Sequence, residues 1–471
     1  MYRFRKIDNL LGQYQELENQ EIYFSDIESL NDPMEGFREF FWDGDEIVWK
    51  NLFKHYLLCL GVICGLAYLS DEELLSPGDI PIFLDEKKLP TEQYKQIHQE
   101  VCDRFFEREG VREYINLLAA SPYKIGRDGL YTYLKLIHLL AFYTITEVHV
   151  KHKLRPKLQA PYPDYSSSLK QIIDAWQRIN NEENGQEKIK IIFKIQKEIM
   201  MEADLALAYK LKDTPASQRG WFIFSEFPNA YLNEIIRLTY PEGYVACFMD
   251  DCTNPVVWGH YADGHKGACL KFRTKEIDGS PSIDLRCIIG WGSSGAMYGY
   301  RTFSFRKINY SNQPPAIDFF RSIGRLPVGQ LMEQWYTNQA GNDSQCAIHF
   351  KNKDTKEDWR KNYWNNYDSS FFIKPKDWEY EQEQRLFLSS GLDTYSDPKT
   401  RKLKYRFEDL EAIIFGVRTL IEDKVKIIKI IEEKCKENNR NDFDFYQVVY
   451  SSPLGKMEVK KLDLFSREVL G

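Results

Sequence analysis

The chain has 471 residues, which is enough for about three domains or for one core with a large insertion. Hydrophobic residues make up 43% and aromatic residues 14%, a composition that excludes intrinsic disorder for most of the length. The formal charge of −7 gives no general attraction to a polyanion, so nucleic-acid binding is not indicated. The nine cysteines include no C-x-x-C pair, which argues against a structural zinc site.

The first 45 residues are predicted to begin an α/β domain. Apolar residues at helical spacing cover residues 9–19, and residues 21–25 are predicted to form a strand. Asn31, Asp32 and Pro33 then predict a turn, because Asn and Asp bond the local backbone and Pro fixes φ.

The opening segment Tyr2-Arg3-Phe4-Arg5 predicts a strand with both aromatic rings on one face and both arginines on the other. An arginine on such a strand can bind a phosphate through paired N–H donors. Arg3 and Arg5 are therefore candidates for phosphate binding. The alternative is an edge strand with two solvated arginines.

A second candidate site joins Ser25 to the polar turn that follows it. A strand that brings Ser25 next to Asn31, Asp32 and Glu35 would line a cleft with polar side chains. The alternative is that Asn31 and Asp32 only form the turn.

Residues 46–240 are predicted to form an all-helical insertion. Within the helix predicted at 46–69, residues 55–70 carry no Asp, Glu, Lys or Arg. Such a helix spans about 24 Å, less than the ~30 Å of a hydrocarbon core, so we expect a buried core helix and no membrane span. Residues 166–211, interrupted near 180–185, predict an αα-hairpin whose faces could serve a protein partner or self-association.

A third candidate site is the segment 258–267, WGHYADGHKG, which leads into an apolar strand. His260 and Tyr261 can donate hydrogen bonds and can stack on a base or on a nicotinamide ring. His260 and His265 are five residues apart with no third ligand at metal spacing, so no bound metal is expected.

A fourth candidate site is the segment 374–385, KPKDWEYEQEQR, in which Glu379, Glu381 and Glu383 alternate. On a strand they would share one face, and clustered carboxylates raise one another's pKa unless a cation such as Arg385 intervenes. On a helix, Glu381 and Arg385 would instead form an i, i+4 pair.

These elements predict an α/β (α+β) fold with a split mixed β-sheet core. The core is expected to consist of residues 1–45 and 241–471, with the helical insertion 46–240 between them. The N-terminus shows no apolar signal segment, so a cytoplasmic location is expected.

Five ordered segments of the chain resemble the bacterial domain-of-unknown-function family 2971. The chain departs from that family's pattern at two places. Asp26-Ile27 stands where the family has a small residue followed by proline, and Leu30 stands where it has phenylalanine. The resemblance covers about residues 1–40 and 241–435, and the family name carries no activity. The matching segments are YRFR at 2–5, FSDIESLNDPME at 24–35, WGHYADGHKGACLKF at 258–272, KPKDWEYEQEQR at 374–385 and IIFG at 413–416.

The order of an N-terminal strand arginine, a serine-bearing strand and a late E-x-E also resembles NAD-dependent ADP-ribosyltransferases. That resemblance implies NAD as a substrate, Glu383 as the carboxylate that stabilises an oxocarbenium-like transition state, and Glu381 as the group that orients the acceptor. It implies that Tyr261 stacks on nicotinamide. The catalytic candidates are Glu383, Glu381 and His260, and the nucleotide-binding candidates are Arg3, Arg5, Ser25, Asn31, Asp32, Tyr261 and Arg385.

The function expected from this resemblance is an ADP-ribosyltransferase or NAD glycohydrolase, acting as a toxin or phage-defence effector. One alternative is a metal-dependent hydrolase or nuclease that would use Asp32, Glu35, His260, Glu381 and Glu383. Another is a non-enzymatic sensor that binds a nucleotide and docks a protein partner through the helical segment.

Overall fold

The computed structural model describes residues 1–32, 34–69, 74–157, 166–180, 182, 184–210, 215–351, 353–391, 394–451 and 456–464. In the part of the chain that the structure describes, helices account for 52% and strands for 23%, which confirms a mixed α/β fold. Pro33 of the predicted turn and Leu211 at the end of the predicted hairpin lie outside the described residues.

The strands range from two to thirteen residues. They are Tyr2–Arg5 (β1), Glu21–Tyr23 (β2), Ser25–Asp26 (β3), Glu39–Trp42 (β4), Ile125–Gly126 (β5), Glu242–Met249 (β6), Ala268–Phe272 (β7), Lys275–Ile277 (β8), Ser280–Gly292 (β9), Gly295–Ser304 (β10), Arg306–Lys307 (β11), Asn309–Tyr310 (β12), Ala316–Asp318 (β13), Ile373–Lys374 (β14), Glu383–Ser390 (β15), Lys402–Tyr405 (β16), Leu410–Phe415 (β17), Asp444–Ser451 (β18) and Lys456–Leu462 (β19).

The α-helices of the described residues include five of fifteen residues or more before residue 211. The α-helices are Ile7–Leu11 (α1), Glu16–Asn19 (α2), Glu46–Leu69 (α3), Glu92–Phe106 (α4), Val111–Ala119 (α5), Arg127–Lys151 (α6), Ser166–Asn180 (α7), Gly185–Lys210 (α8), Pro215–Trp221 (α9), Phe227–Ile235 (α10), Pro255–Tyr261 (α11), Phe319–Ser322 (α12), Val328–Leu331 (α13), Ile348–Lys351 (α14), Lys353–Ser370 (α15) and Ile421–Glu437 (α16).

The chain divides into two compact units. The first unit comprises residues 1–37, 242–314 and 367–471, and the second comprises residues 38–241 and 315–366. The predicted core, residues 1–45 and 241–471, therefore needs correction at two segments, because residues 38–45 and residues 315–366 belong to the second unit. Local sequence patterns do not show this, since the link depends on β13 pairing with β4, 277 positions earlier.

Two sheets share the core of the first unit. The larger has the order β11-β15-β6-β1-β7-β17-β18-β19 with β3 beside β6, and the smaller has the order β10-β9-β16-β2 with β8 beside β9. Leu285 and Leu403 of the smaller sheet pack with Phe248 and Leu270 of the larger one. The parallel pair β17 and β18 is joined by the amphipathic helix α16, as a parallel crossover requires.

One irregularity in the larger sheet creates the space for a site. Strand β1 pairs with β7 along its whole length, but it pairs with β6 only at Tyr2 and Met249. Strand β6, by contrast, pairs with β15 along all eight of its residues. A gap therefore opens between β1 and β6 on one side of the Tyr2–Met249 pair.

The second unit is mainly helical, and α3 extends over Glu46–Leu69 as predicted. It is not all-helical, because β13, β4 and β5 form a three-stranded sheet. These strands have two to four residues, too short for an alternating pattern to show in the sequence.

Helix α3 is the one helix in the described residues that is long and apolar enough to cross a membrane. Within its most apolar stretch, 56% of the residues are buried inside the fold. A mostly buried apolar helix is a normal core element of a folded domain, so no membrane is indicated.

Two further sequence predictions differ from the structure. The helix predicted at 9–19 is two short helices, because Gln15 between them adopts a left-handed φ of 47°. Strand β10 was not predicted, since glycines at 295 and 299 interrupt its pattern.

Candidate active site

The gap between β1 and β6 is a cavity of about 220 Å³ in the first unit. Its walls come from β1, β6, the turn after β3, α11 and the start of β15, so segments more than 200 residues apart in sequence meet there. Seven of the predicted site residues line it: Arg3, Arg5, Ser25, Asn31, His260, Tyr261 and Glu383. The wall also includes Glu35, Cys247 and Lys374.

Arg3 is a buried cation in the cavity wall, with 5% of its surface exposed. Its Nη2 donates to the Tyr23 carbonyl oxygen at 3.0 Å, and its guanidinium lies over the Phe248 ring. Nη1 has no hydrogen-bond partner among the described residues. Burial, with the nearby charge of Arg5, lowers the pKa of Arg3 to about 10, so it stays protonated at neutral pH. Arg3 is thus a charged donor that is only partly satisfied by the protein.

Arg5 differs from Arg3 because a carboxylate already neutralises it. Its Nε donates to Glu16 Oε2 at 2.7 Å, and its Nη2 contacts Oε1 of the same residue. Glu16 is itself buried. Of the two predicted phosphate-binding residues, Arg3 is therefore the better placed for an added anion.

Beside the cavity, five buried side chains form an ion cluster that consists of Glu35, Lys374, Glu381, Glu383 and Arg385. Lys374 Nζ donates to Glu381 Oε2 at 2.7 Å and to Glu383 Oε2 at 3.1 Å, and it lies 3.8 Å from Glu35 Oε2. Arg385 donates to both oxygens of Glu383, at 2.6 and 3.1 Å, and its Nη2 also contacts Glu35.

Three carboxylates and two cations leave one negative charge in excess in this cluster. Burial raises the pKa of Glu383, although Lys374 acts in the opposite direction. Burial is the largest single influence on the pKa of Lys374 and acts to lower it, but Glu383, Tyr261 and Glu381 together outweigh burial and raise the pKa above its ordinary value. Burial lowers the pKa of Arg385 to about 9. Both cations are therefore charged at neutral pH and hold Glu383 in a fixed position.

Tyr261 joins the cluster from α11. Its hydroxyl donates to Glu381 Oε1 at 2.8 Å, and burial raises its pKa well above the ordinary value. His260 is exposed, and its ring lies 5.9 Å from the Trp378 ring. Tyr261 thus forms part of the polar wall, and His260 remains accessible to solvent.

Local packing explains why α11 presents these residues. Asn254 caps the helix by accepting from Val256 N, and its Nδ2 donates to the Tyr380 carbonyl at 2.8 Å. Gly267 lets the end of this segment approach β1, because a Cβ there would lie 2.2 Å from the Arg5 carbonyl oxygen. Only glycine fits at that contact.

The E-x-E segment has a geometry that neither sequence interpretation anticipated. Glu381 ends a 3₁₀-helix over Lys376–Glu381, Gln382 adopts a left-handed φ of 48°, and Glu383 begins β15. Glu379 is exposed and outside the cluster. Arg385 pairs with Glu383, so the i, i+4 pair with Glu381 is not formed.

Asp32 does not line the cavity, contrary to its predicted role. Its Oδ1 accepts from Met34 N at 2.9 Å, and its carbonyl accepts from Glu35 N at 3.0 Å. These bonds hold the turn that places Glu35 against Arg385. Asp32 therefore acts as a turn former, which was the alternative interpretation.

Sequence reasoning missed Lys374 and Cys247 and did not place Glu35 in an ion cluster. Lys374 lies in K-P-K-D, which reads as an exposed turn, and only the fold shows that the lysine is 2% exposed. The signal that the sequence offered for this role was the position of Lys374 shortly before Glu381 and Glu383 in the same segment. Cys247 lies within the apolar sequence of strand β6, so the sequence did not single it out. Burial raises the pKa of its thiol.

Across the described residues, no group of three His, Cys, Asp or Glu side chains has the geometry to hold a metal ion. The carboxylates that gather at the site surround Lys374 and Arg385 instead. This arrangement gives no support to the metal-dependent alternative.

Comparison with models of known protein families, with curated proteins and with solved structures gives no match, so the two resemblances noted from the sequence stay predictions.

Proposed function

We propose that the cavity of the first unit binds NAD and that the protein cleaves the bond between nicotinamide and ribose, as an ADP-ribosyltransferase or NAD glycohydrolase. The observation that carries the proposal is that Arg3 and Glu383 both line the same cavity. A buried cation suits the phosphates, and a fixed carboxylate suits the positive charge that develops on the ribose.

The size of the cavity limits which part of NAD it would hold. Sites that enclose a whole drug-sized ligand occupy roughly 300–1,000 Å³, and this cavity has about 220 Å³. It suits the nicotinamide and its ribose, with the phosphates near Arg3 and the adenosine outside.

The proposed reaction breaks the C1′–N bond, and the bonding electrons leave with neutral nicotinamide. A nucleophile then forms the new bond to C1′ and releases a proton. With water as nucleophile the products are ADP-ribose and nicotinamide. Lys374 and Arg385 fix Glu383 beforehand, and such preorganised electrostatics contribute roughly 3–4 kcal/mol to a transition state.

Two variants test the proposal by nicotinamide release from NAD, measured by chromatography. Glu383→Gln keeps the shape of the side chain and removes its charge, so we expect the rate to fall by at least about a hundredfold. Glu379→Gln removes an exposed carboxylate of the same segment and should leave the rate unchanged. Turnover by Glu383→Gln at the wild-type rate would refute the assignment.

A nucleotide-binding sensor is the second candidate, and one observation favours it. Both oxygens of Glu383 already accept from Arg385, and Lys374 binds one of them as well. A carboxylate bound this fully can shape a binding site without taking part in a reaction. Saturable NAD binding with no nicotinamide release would select this function, and loss of activity with a chelator would select a metal-dependent enzyme.

The second unit supports the proposal of a protein partner or of self-association. Helix α8 exposes Ile191, Ile195 and Ile199 at successive four-residue intervals, with 48–60% of each exposed. An apolar stripe of this kind is typical of a helix that packs on another helix. A role as a cytoplasmic toxin or phage-defence effector is proposed from the resemblance alone, and NAD depletion on expression would test it.

A further inference from the structure

The second unit contains its own cavity, of about 330 Å³, between α3, α4 and α6. Its walls are mainly aliphatic, with Leu57, Val62, Ile97 and Ile145 among them. The volume lies within the range of about 300–1,000 Å³ of small-molecule sites, which are concave and mostly apolar. The cavity therefore suits an apolar ligand.

Two glycines widen this cavity. Gly61 and Gly65 lie one turn apart on α3 and line the cavity. A Cβ at either position would have no atom within 4 Å. Glycine in a helix interior is less favourable than alanine by roughly 1 kcal/mol. The two glycines therefore lower the helix-forming propensity of α3 and leave the space beside it open.

One end of the cavity is polar. Tyr68 and His149 line it, and Arg155 lies over the Tyr68 ring with its Nη1 donating to the Tyr68 hydroxyl at 3.1 Å. Arg155 Nε is buried without a hydrogen-bond partner, Nη1 also lies 3.5 Å from the Thr146 hydroxyl oxygen, and no ion pair of Arg155 occurs among the described residues. Burial, with the charge of Arg155 adding to it, lowers the pKa of His149 to about 4, so His149 is neutral at pH 7. Arg155 does not itself line the cavity, but its contact with Tyr68 brings an unneutralised charge next to this end.

The other polar groups of the cavity already have partners or are exposed. His98 lies 3.5 Å from Glu86, and Lys54 Nζ donates to the same carboxylate at 2.7 Å. Tyr94 is 42% exposed at the rim. A ligand with an apolar chain and one anionic end would match the remaining features, namely the aliphatic walls and Arg155.

We infer that this cavity binds a fatty acid, with its alkyl chain against the Gly61–Gly65 face of α3 and its carboxylate at Arg155 and the Tyr68 hydroxyl. This site belongs to the second unit and does not rest on the proposed NAD function. A charge-assisted contact to the carboxylate would give selectivity, and the aliphatic walls would give most of the affinity.

The test measures binding of dodecanoic acid to the full chain by calorimetry, below its micellar concentration. We expect saturable binding with one ligand per chain. Gly65→Leu fills the cavity and should weaken binding at least about tenfold, and Gly61→Leu should do the same. Gly220→Leu is the matched control, because it also lies in a helix of this unit with no atom within 4 Å of the added Cβ and lies outside the cavity.

A second pair of measurements tests the anionic end. Arg155→Gln should weaken binding of dodecanoic acid about tenfold or more and leave the affinity for dodecanol nearly unchanged. Melting curves of each variant confirm that it folds, and Gly→Leu in a helix should not lower the melting temperature.

Absence of saturable binding by the wild type would overturn the inference. Wild-type affinity in both Gly61→Leu and Gly65→Leu would also overturn it, because the chain would then lie elsewhere. Equal losses for dodecanoic acid and dodecanol in Arg155→Gln would refute the assignment of a carboxylate at that end.

Discussion

The two cavities of this protein differ in how their walls balance charge. The cavity of the first unit adjoins five buried charged side chains, three carboxylates and two cations, that form ion pairs with one another, and the loss of one partner would be costly there. The cavity of the second unit is aliphatic, and the buried histidines of that unit are neutral. The first cavity adjoins a network that positions charge, and the second offers mainly apolar surface with a single charge, Arg155, next to one end.

The largest expected effect is the loss of one cation from the ion cluster. Arg385→Met leaves Glu383 and Glu35 facing each other with only Lys374 between, so we expect a loss of about 3–5 kcal/mol in the free energy of unfolding. Urea denaturation measures it.

Arg306→Met is the matched control for Arg385→Met. Arg306 lies opposite Arg385 in the backbone pairing of β11 with β15, and its side chain forms an exposed ion pair with Asp368. Loss of this exposed ion pair should lower the free energy of unfolding by less than about 1 kcal/mol. Equal costs for the two variants would contradict the idea that the cluster depends on buried pairing.

The next effect concerns acid stability of the second unit. His55 and His138 are buried, and burial lowers the pKa of each to about 4 from an ordinary 6.5. Because the folded state binds the proton less tightly than the unfolded state, stability is retained above pH 6.5 and falls as the pH approaches 4. The loss is roughly 3 kcal/mol for each histidine.

Substitution of His138 checks this sign. His138 Nε2 lies 2.7 Å from the Ile223 carbonyl and Nδ1 lies 2.8 Å from the Tyr56 hydroxyl, so the neutral ring donates to the first and accepts from the second. His138→Gln should lower stability at pH 7 and flatten the slope of stability between pH 6.5 and 4. An unchanged slope would show that His138 titrates normally in the folded state.

The smallest effect concerns the link between α11 and the 3₁₀-helix at Lys376–Glu381. Asn254→Ala removes both the helix cap and the bond to Tyr380, at a cost of about 1–2 kcal/mol. Asn254→Ser keeps a good cap and loses only the bond to Tyr380. The difference in free energy of unfolding between the two variants measures the contribution of the helix cap. Identical stabilities of the two variants would mean that the cap contributes nothing.

The sequence located the segments of the first site but not the way they fit together. Alternation in Tyr2–Arg5 identified a strand with two arginines, and the polar segment at 258–267 supplied Tyr261 and His260 to the same cavity. Local pattern could not show that Arg5 is neutralised by Glu16, because that pairing depends on the turn between α1 and α2.

The remaining misses share one physical cause, which is long-range contact. Lys374 becomes a buried cation only when the turn after β3 and the start of β15 close around it. The left-handed Gln382 separates Glu381 from Glu383, and nothing in E-Y-E-Q-E fixes that conformation locally. The helical middle was predicted better, since α3, α7 and α8 depend on local periodicity.

The central claim is that Arg3 holds a phosphate of NAD in the first cavity, and calorimetric titration tests it most directly. We predict that wild-type protein binds NAD, and that Arg3→Gln weakens this binding at least about tenfold while affinity for nicotinamide riboside, which lacks phosphate, stays the same. Equal affinity of wild type and Arg3→Gln for NAD would contradict the account.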